Sequence, residues 1–89
     1  MSNIKELQYM FKNKNKQSNN ICGIKIKELR KAQIPRLSQH GLAVKLQLAG
    51  IDLDKNAIQR IESGQRFVTD IELLAFSRIL NVSLDELLN

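Results

Sequence analysis

The apolar residues of this 89-residue chain recur at helical spacing, and no segment alternates apolar and polar residues as a β-strand does. Residues that commonly cap helices stand just before the apolar runs: Ser38, Asp54, Thr69 and Ser83. Thr69 and Ser83 are each followed three residues later by Glu, which is the capping-box pattern. The sequence therefore predicts an all-α fold.

Residues 1–21 are predicted to be a short N-terminal extension. Apolar residues at helical spacing predict a helix over residues 3–12: Ile4, Leu7, Met10 and Phe11. Residues 12–20, KNKNKQSNN, are polar and lack periodicity, so we expect a mobile linker. A basic arm that reaches DNA phosphates through its three lysines is the alternative.

Residues 22–89 are predicted to form one helical domain, since a chain of this length supports a single modest core. Its first helix should stop before Pro35, and Gly64 is well placed to end a later helix. In the first helix, the residues expected to face the core are Cys22, Ile26, Leu29 and Ala32. Those expected on its other faces are Lys25, Lys27, Arg30 and Lys31. The predicted core residues of the later helices are Leu42, Ala43, Leu46, Ile58, Ile61, Ile71, Leu74, Phe76, Ile79, Leu84, Leu87 and Leu88.

Positive charge is concentrated in the first part of the chain. Residues 1–50 hold ten Lys and Arg against two Asp and Glu, whereas residues 51–89 hold four against seven. A basic end on a small protein suits binding to a polyanion such as nucleic acid, and a solubilising surface is the alternative.

Several classes of protein are disfavoured by what the sequence lacks. Cys22 is the only cysteine and His40 the only histidine, so we expect neither an internal disulfide nor a metal site. No glycine-rich phosphate loop or catalytic cluster is present, and we predict a non-enzyme without cofactor or small-molecule ligand. No apolar run approaches the ~20 residues of a membrane span and no signal peptide is visible, which favours a cytoplasmic protein without a membrane partner.

One face of the helix that follows Asp54 carries polar side chains able to bind DNA. These residues are spaced so that they lie away from the apolar side: Lys55, Asn56, Gln59 and Arg60. Asn can pair with adenine through two hydrogen bonds, and Lys or Arg can bind guanine or a phosphate. Polar residues on an outer helix face are also ordinary, but no carboxylate occupies this one.

The segments described above resemble the Cro/repressor type of helix-turn-helix, the Xre family of transcriptional regulators. The resemblance covers residues 22–89 and lies in four segments: IKELR at 26–30, LSQ with LA at 37–43, IQRIESG at 58–64 and NVSLDELL at 81–88. It implies a lambda-repressor-like bundle of five helices, with residues 39–48 as helix 2 and residues 55–63 as the recognition helix. One departure is the loop at residues 47–53, which is about two residues longer than the family's usual tight turn.

The resemblance also implies roles for individual residues. Gln39, at the start of helix 2, would brace the DNA backbone and approach a base. Lys55, Asn56 and Arg60 match positions that read bases, with Gln59 beside them. Arg66 falls in the loop at residues 65–68, which matches a loop that presses on phosphates.

We therefore predict a sequence-specific regulator of transcription that binds double-stranded DNA, acting as a repressor by occupying its operator. So small a module is expected to use two copies on a pseudo-palindrome, so a homodimer is a further expectation. The C-terminal leucines or residues 4–11 could supply its dimer surface. The alternative is an antitoxin-type module whose chief role is to mask a partner toxin.

Overall fold

Five α-helices make up the fold seen in a computed structural model, which describes residues 18–89 of the chain. They are α1 (Gly23–Lys31), α2 (Gln39–Leu48), α3 (Lys55–Glu62), α4 (Asp70–Leu80) and α5 (Leu84–Leu88). Residues 18–89 contain no strand, so the predicted all-α bundle of five helices is confirmed. The helix predicted over residues 3–12 lies outside the described residues, and the division of the chain at residue 21 stays a prediction. Of the mobile linker predicted over residues 12–20, the structure describes residues 18–20, where Asn19 and Asn20 are hydrogen-bonded to carbonyls of residues 61–66.

The predicted capping residues begin the helices. Ser38 Oγ accepts a hydrogen bond from the Gly41 amide at 2.9 Å, and Asp54 Oδ1 accepts one from the Ala57 amide at 2.8 Å. Thr69 forms the complete capping box with Glu72 at the start of α4. Each bond satisfies an amide that has no partner within its helix, which fixes where the helix starts.

Helices α2 and α3 end in the same way, on a glycine with a positive φ. Gly50 follows α2 with a φ of 87°, and Gly64 follows α3 with a φ of 82°. In both places the next residue turns back onto the last helical turn: Ile51 N donates to Leu46 O at 2.9 Å, and Gln65 N donates to Arg60 O at 2.8 Å. These are Schellman motifs, in which glycine adopts the left-handed conformation without strain.

The core lies between the helices and is mainly aliphatic. Its buried apolar residues are Cys22, Ile26, Leu42, Ala43, Leu46, Leu53, Ala57, Ile58, Ile61, Phe76, Leu80 and Leu87. Burial raises the pKa of the Cys22 thiol, which fits the predicted role of a small apolar residue at a helix start.

Three sets of predicted positions are wrong. Ala32, Leu84 and Leu88 are predicted to face the core, but all three are exposed. The prediction also placed Ile71 and Leu74 in the core. Phe76 is buried as predicted, but Ile71 is 67% exposed and Leu74 also lies at the surface, because α4 turns Phe76 and Leu80 to the core. The prediction also placed Arg30 on an outer face of α1, but Arg30 is only 6% exposed. A buried guanidinium needs a charged partner, and that partner comes from α3.

Candidate nucleic-acid interface

The outer face of α3 carries four of the predicted DNA-binding residues, all of them exposed: Lys55, Asn56, Gln59 and Arg60. The opposite face is buried through Ala57, Ile58 and Ile61. Because the apolar side anchors the helix in the core, the polar side is presented to solvent on a rigid element. An α-helix presented in this way can enter the major groove of DNA.

A buried ion pair joins α1 to the last turn of α3. Arg30 Nε lies 2.7 Å from Glu62 Oε2, and Arg30 Nη2 lies 3.0 Å from Glu62 Oε1. Arg30 Nη1 also donates to the Leu37 carbonyl at 3.0 Å, just before α2. The paired geometry satisfies both carboxylate oxygens and so compensates two charges that are withdrawn from water.

Gln39 belongs to the same network. Its Nε2 donates to Glu62 Oε1 at 2.9 Å, which ties the first residue of α2 to the last residue of α3. The side chain is half-buried, unlike those of the outer face of α3. Glu62 therefore holds the ends of two helices that the family resemblance assigns to DNA contact.

A shallow surface pocket of about 500 Å³ lies beside the start of α2. Its lining residues include no Asp or Glu but five Lys and Arg, of which Arg30 is already paired with Glu62: Lys27, Arg30, Lys31, Arg36, Ser38, Gln39, His40 and Lys55. We name these residues the basic pocket. Cations gathered beside a helix N-terminus attract anions such as phosphate groups.

The loop after α3 is held by a second ion pair. Arg66 Nη1 lies 2.9 Å from Glu72 Oε1, and Nη2 lies 3.2 Å from Glu72 Oε2. Burial raises the pKa of Glu72, but hydrogen bonds from Arg66 and Thr69 and the charge of Arg66 outweigh it and hold that pKa below its ordinary value. The hydrogen bond to Glu72 in turn raises the pKa of Arg66. The predicted phosphate-contacting residue is thus oriented by a carboxylate.

The connection between α2 and α3 runs over residues 49–54 and is anchored in the core. The Leu53 side chain is buried, and Ile51 packs against the core. Gln47 Nε2 donates to the Leu53 carbonyl at 3.3 Å. The additional length predicted for this connection is therefore accommodated by an ordered turn.

Residues 26–87 match the family model described as Helix-turn-helix, which spans more than two thirds of the chain. The chain belongs to the Xre-type helix-turn-helix family. No curated protein and no solved structure matches this Xre-type chain. The protein is therefore a DNA-binding helix-turn-helix regulator, of a family that is generally non-enzymatic. None of the helices in the part of this regulator that the structure describes combines the length and apolar character that a membrane span needs.

Sequence reasoning missed the support of this site rather than its outer face. Glu62 lies within the family resemblance, but the sequence analysis predicts no role for its carboxylate and expects Arg30 on a face of α1 that does not face the core. The signal that could have found the pair was a single carboxylate on α3 on the same side as Ile58 and Ile61. A charge on an apolar helix face needs a partner of opposite charge.

Proposed function

We propose that this regulator is a sequence-specific repressor that binds double-stranded DNA and acts by occupying its operator. The observation that carries the proposal is the exposed polar face of α3, which stands beside the basic pocket. One surface then offers side chains for base edges and cations for the backbone. Both are needed for a protein to select a sequence and to bind it tightly.

Each polar residue of α3 has a chemical role in this proposal. Asn56 would pair with adenine through its amide, and Arg60 or Lys55 would bind guanine or a phosphate. Gln59 supplies a second amide beside them. Gln39 would brace the DNA backbone from the start of α2, with its orientation set by Glu62.

Arg66 would contact the DNA backbone from the loop after α3. Its guanidinium already binds Glu72, so its phosphate contact would use the part of the side chain that remains exposed. Substitution of Arg66 should therefore weaken binding to all sequences rather than change preference among them.

A homodimer on a pseudo-palindromic site is the expected binding form, with half-sites roughly 34 Å apart. Of the three C-terminal leucines considered for its surface, Leu87 is buried in the protomer, whereas Leu84 and Leu88 are exposed. Only Leu84 and Leu88 are therefore available to a second copy. No small-molecule ligand is expected to be required for binding.

The test begins with selection of duplexes from random sequence by the wild-type protein. Asn56→Ala and Arg60→Ala are then titrated against the selected duplex and a scrambled one at several salt concentrations. Each should lose about 1–3 kcal/mol on the selected duplex and relax preference at one or two base pairs. Arg66→Ala should weaken both duplexes similarly and reduce the salt slope by about one.

Arg78→Ala is the matched control, because Arg78 is an exposed cation on α4 rather than on α3. It should leave sequence preference unchanged. If Asn56→Ala and Arg60→Ala weakened both duplexes equally, α3 would not read bases and the site assignment would fail. The antitoxin alternative would be favoured if a protein encoded beside this one bound the regulator tightly and was toxic without it.

A further inference from the structure

Residues 18–20 lie against the C-terminal end of α3 and the loop that follows it. Asn19 N donates to the Gly64 carbonyl at 2.7 Å, and Asn19 Nδ2 donates to the Gln65 carbonyl at 2.9 Å. Asn20 Nδ2 donates to two further carbonyls, Ile61 O at 3.0 Å and Arg66 O at 2.8 Å. Residues 19 and 20 therefore bind backbone carbonyls of the last turn of α3 and of the loop after it, more than 40 positions away in sequence.

The Asn20 side chain also binds the start of α1. Its Oδ1 accepts a hydrogen bond from the Gly23 amide at 2.7 Å. A side chain at Gly23 would collide with the Ile61 carbonyl, so the backbones of α1 and α3 are in direct contact at this point. One half-buried amide thus joins the start of α1, the end of α3 and the loop at Arg66.

Arg66 is consequently held from two sides. Asn20 binds its carbonyl, while Glu72 binds its guanidinium. Because the carbonyl of Ile61 is bound by the same Nδ2, the loop is fixed relative to α3 itself and not only relative to α4. Groups that touch a ligand need such support to hold their geometry within about 0.5 Å.

We propose that Asn20 is a positioning residue for DNA binding. Its amide sets the loop at residues 64–67 relative to α3, so that the backbone contact of the loop and the base contacts of α3 are made together. This inference rests on the proposed function. Asn20 itself acts through the loop and makes no contact with DNA.

Two substitutions separate the donor role of Asn20 from its other roles. Asn20→Asp keeps an acceptor for the Gly23 amide but replaces the donor to Ile61 O and Arg66 O with an oxygen. Asn20→Ala removes both functions and adds no charge. Ser77→Ala is the matched control, since it removes a side chain–backbone hydrogen bond of 2.6 Å to the Val82 carbonyl, between α4 and the segment before α5.

The probe is the duplex that the wild-type protein selects from random sequence, compared with a scrambled duplex. Both Asn20 variants should keep the helical circular dichroism spectrum and bind the selected duplex about tenfold more weakly, as expected for loss of hydrogen bonds to two carbonyls. Ser77→Ala should bind as the wild type does. If only Asn20→Asp is weakened, its added charge is the cause; if only Asn20→Ala is weakened, the cap of α1 is the cause. Either result overturns the proposal.

A double-mutant cycle measures whether the losses of DNA affinity at Asn20 and Arg66 are coupled, which a general loss of stability would not produce. If Asn20 acts through the loop, Asn20→Asp should weaken binding much less when Arg66 is already Ala, so that the losses are not additive. Additive losses would contradict the proposal. The same measurement with Asn56→Ala should give nearly independent losses, because Asn56 lies at the other end of α3.

Amide hydrogen exchange in the free protein tests the positioning without DNA. Asn20→Asp should accelerate exchange of the amides at residues 65–68 and leave those of α2 unchanged. Unchanged exchange at residues 65–68 would refute the positioning role even if DNA binding fell. If the wild-type protein selected no duplex at all, the proposed function would have failed, a result distinct from variants that bind as the wild type does.

Discussion

Replacement of Glu62 by Gln should strongly destabilise this fold. The carboxylate accepts two hydrogen bonds from Arg30 and one from Gln39. The Gln side chain has the same shape but only one oxygen. Its NH2 group would take the place of the other oxygen and would face an N–H donor of Arg30 or Gln39. Arg30 would then be buried with its charge uncompensated, apart from the hydrogen bond to the Leu37 carbonyl.

The size of the loss follows from burial. The side chains of Arg30 and Glu62 are 7% and 3% exposed, so water cannot replace the lost partner. Loss of one member of such a buried pair costs about 3–5 kcal/mol. A domain of this size is stable by only about 5–10 kcal/mol, so Glu62→Gln removes a large part of the free energy of unfolding.

Urea denaturation followed by circular dichroism measures the effect. With a slope of about 1 kcal/mol/M, the midpoint of Glu62→Gln should fall by ~3 M or more. Glu28→Gln is the matched control: it makes the same chemical change at an exposed pair with Lys25, whose charged atoms are 4.0 Å apart. Its cost should be below about 1 kcal/mol.

A double variant distinguishes the charge argument from a general loss of packing. Arg30→Met combined with Glu62→Leu removes both charges and should restore most of the stability lost by Glu62→Gln, because neither charge is then left alone. The reasoning would be refuted if Glu62→Gln unfolded within about 0.5 M urea of the wild type. It would also be refuted if the double variant were no more stable than the single one.

Three further perturbations address other parts of the structure. Gly64→Ala should lower the stability measured by thermal unfolding more than Gly50→Ala does. Both glycines have a positive φ, but only at Gly64 would the added Cβ lie 2.6 Å from a neighbouring hydroxyl. Equal losses of stability would contradict this. The pKa of Glu72 is lowered in the folded protein from its ordinary value of 4.5. Its ion pair with Arg66 should therefore stabilise the fold at pH values above 4.5 and should lose this effect as the pH falls through the lowered pKa. Urea titrations should show a weaker pH dependence for Glu72→Gln. Deletion of residues 1–17 should leave the helical spectrum intact, weaken binding to all duplexes alike and flatten the salt dependence; loss of the fold would refute it.

The helix boundaries could be predicted because they depend on local interactions. Ser38, Asp54 and Thr69 each bind an amide three residues later, and Gly64 ends α3 through its own φ. A pattern within a few residues contains everything that such a contact requires. Helix ends that depend on such capping contacts can therefore be predicted from the sequence alone.

The buried face of α4 could be predicted only in part, because this helix is apolar on several sides. Its sequence, DIELLAFSRIL, offers more than one set of apolar residues at helical spacing. The rest of the bundle selects Phe76 and Leu80 for burial and leaves Ile71 exposed. Which apolar face is buried is decided by packing against other helices, and the sequence of one helix does not contain that information.

The contacts that support the candidate interface are likewise long-range. Arg30 and Glu62 are 32 positions apart in sequence, and Asn20 and Arg66 are 46 apart. Nothing in the spacing of either pair distinguishes it from surface polar residues. The residues offered to DNA could be proposed from the sequence, whereas those that hold them in place required the structure.

The longer loop between α2 and α3 does not by itself free α3 from its neighbours. At one end of this helix pair, Leu53 is buried within the loop that leads into α3. At the other end, Glu62 binds Gln39 and, through Arg30, the segment that leads into α2. Because the helix pair is held at both ends, extra residues in the loop can be accommodated at the surface, where Ala49 and Gly50 are exposed. The presentation of α3 is therefore set by contacts at both ends of the helix pair and by its buried apolar side, and not by the turn before it alone.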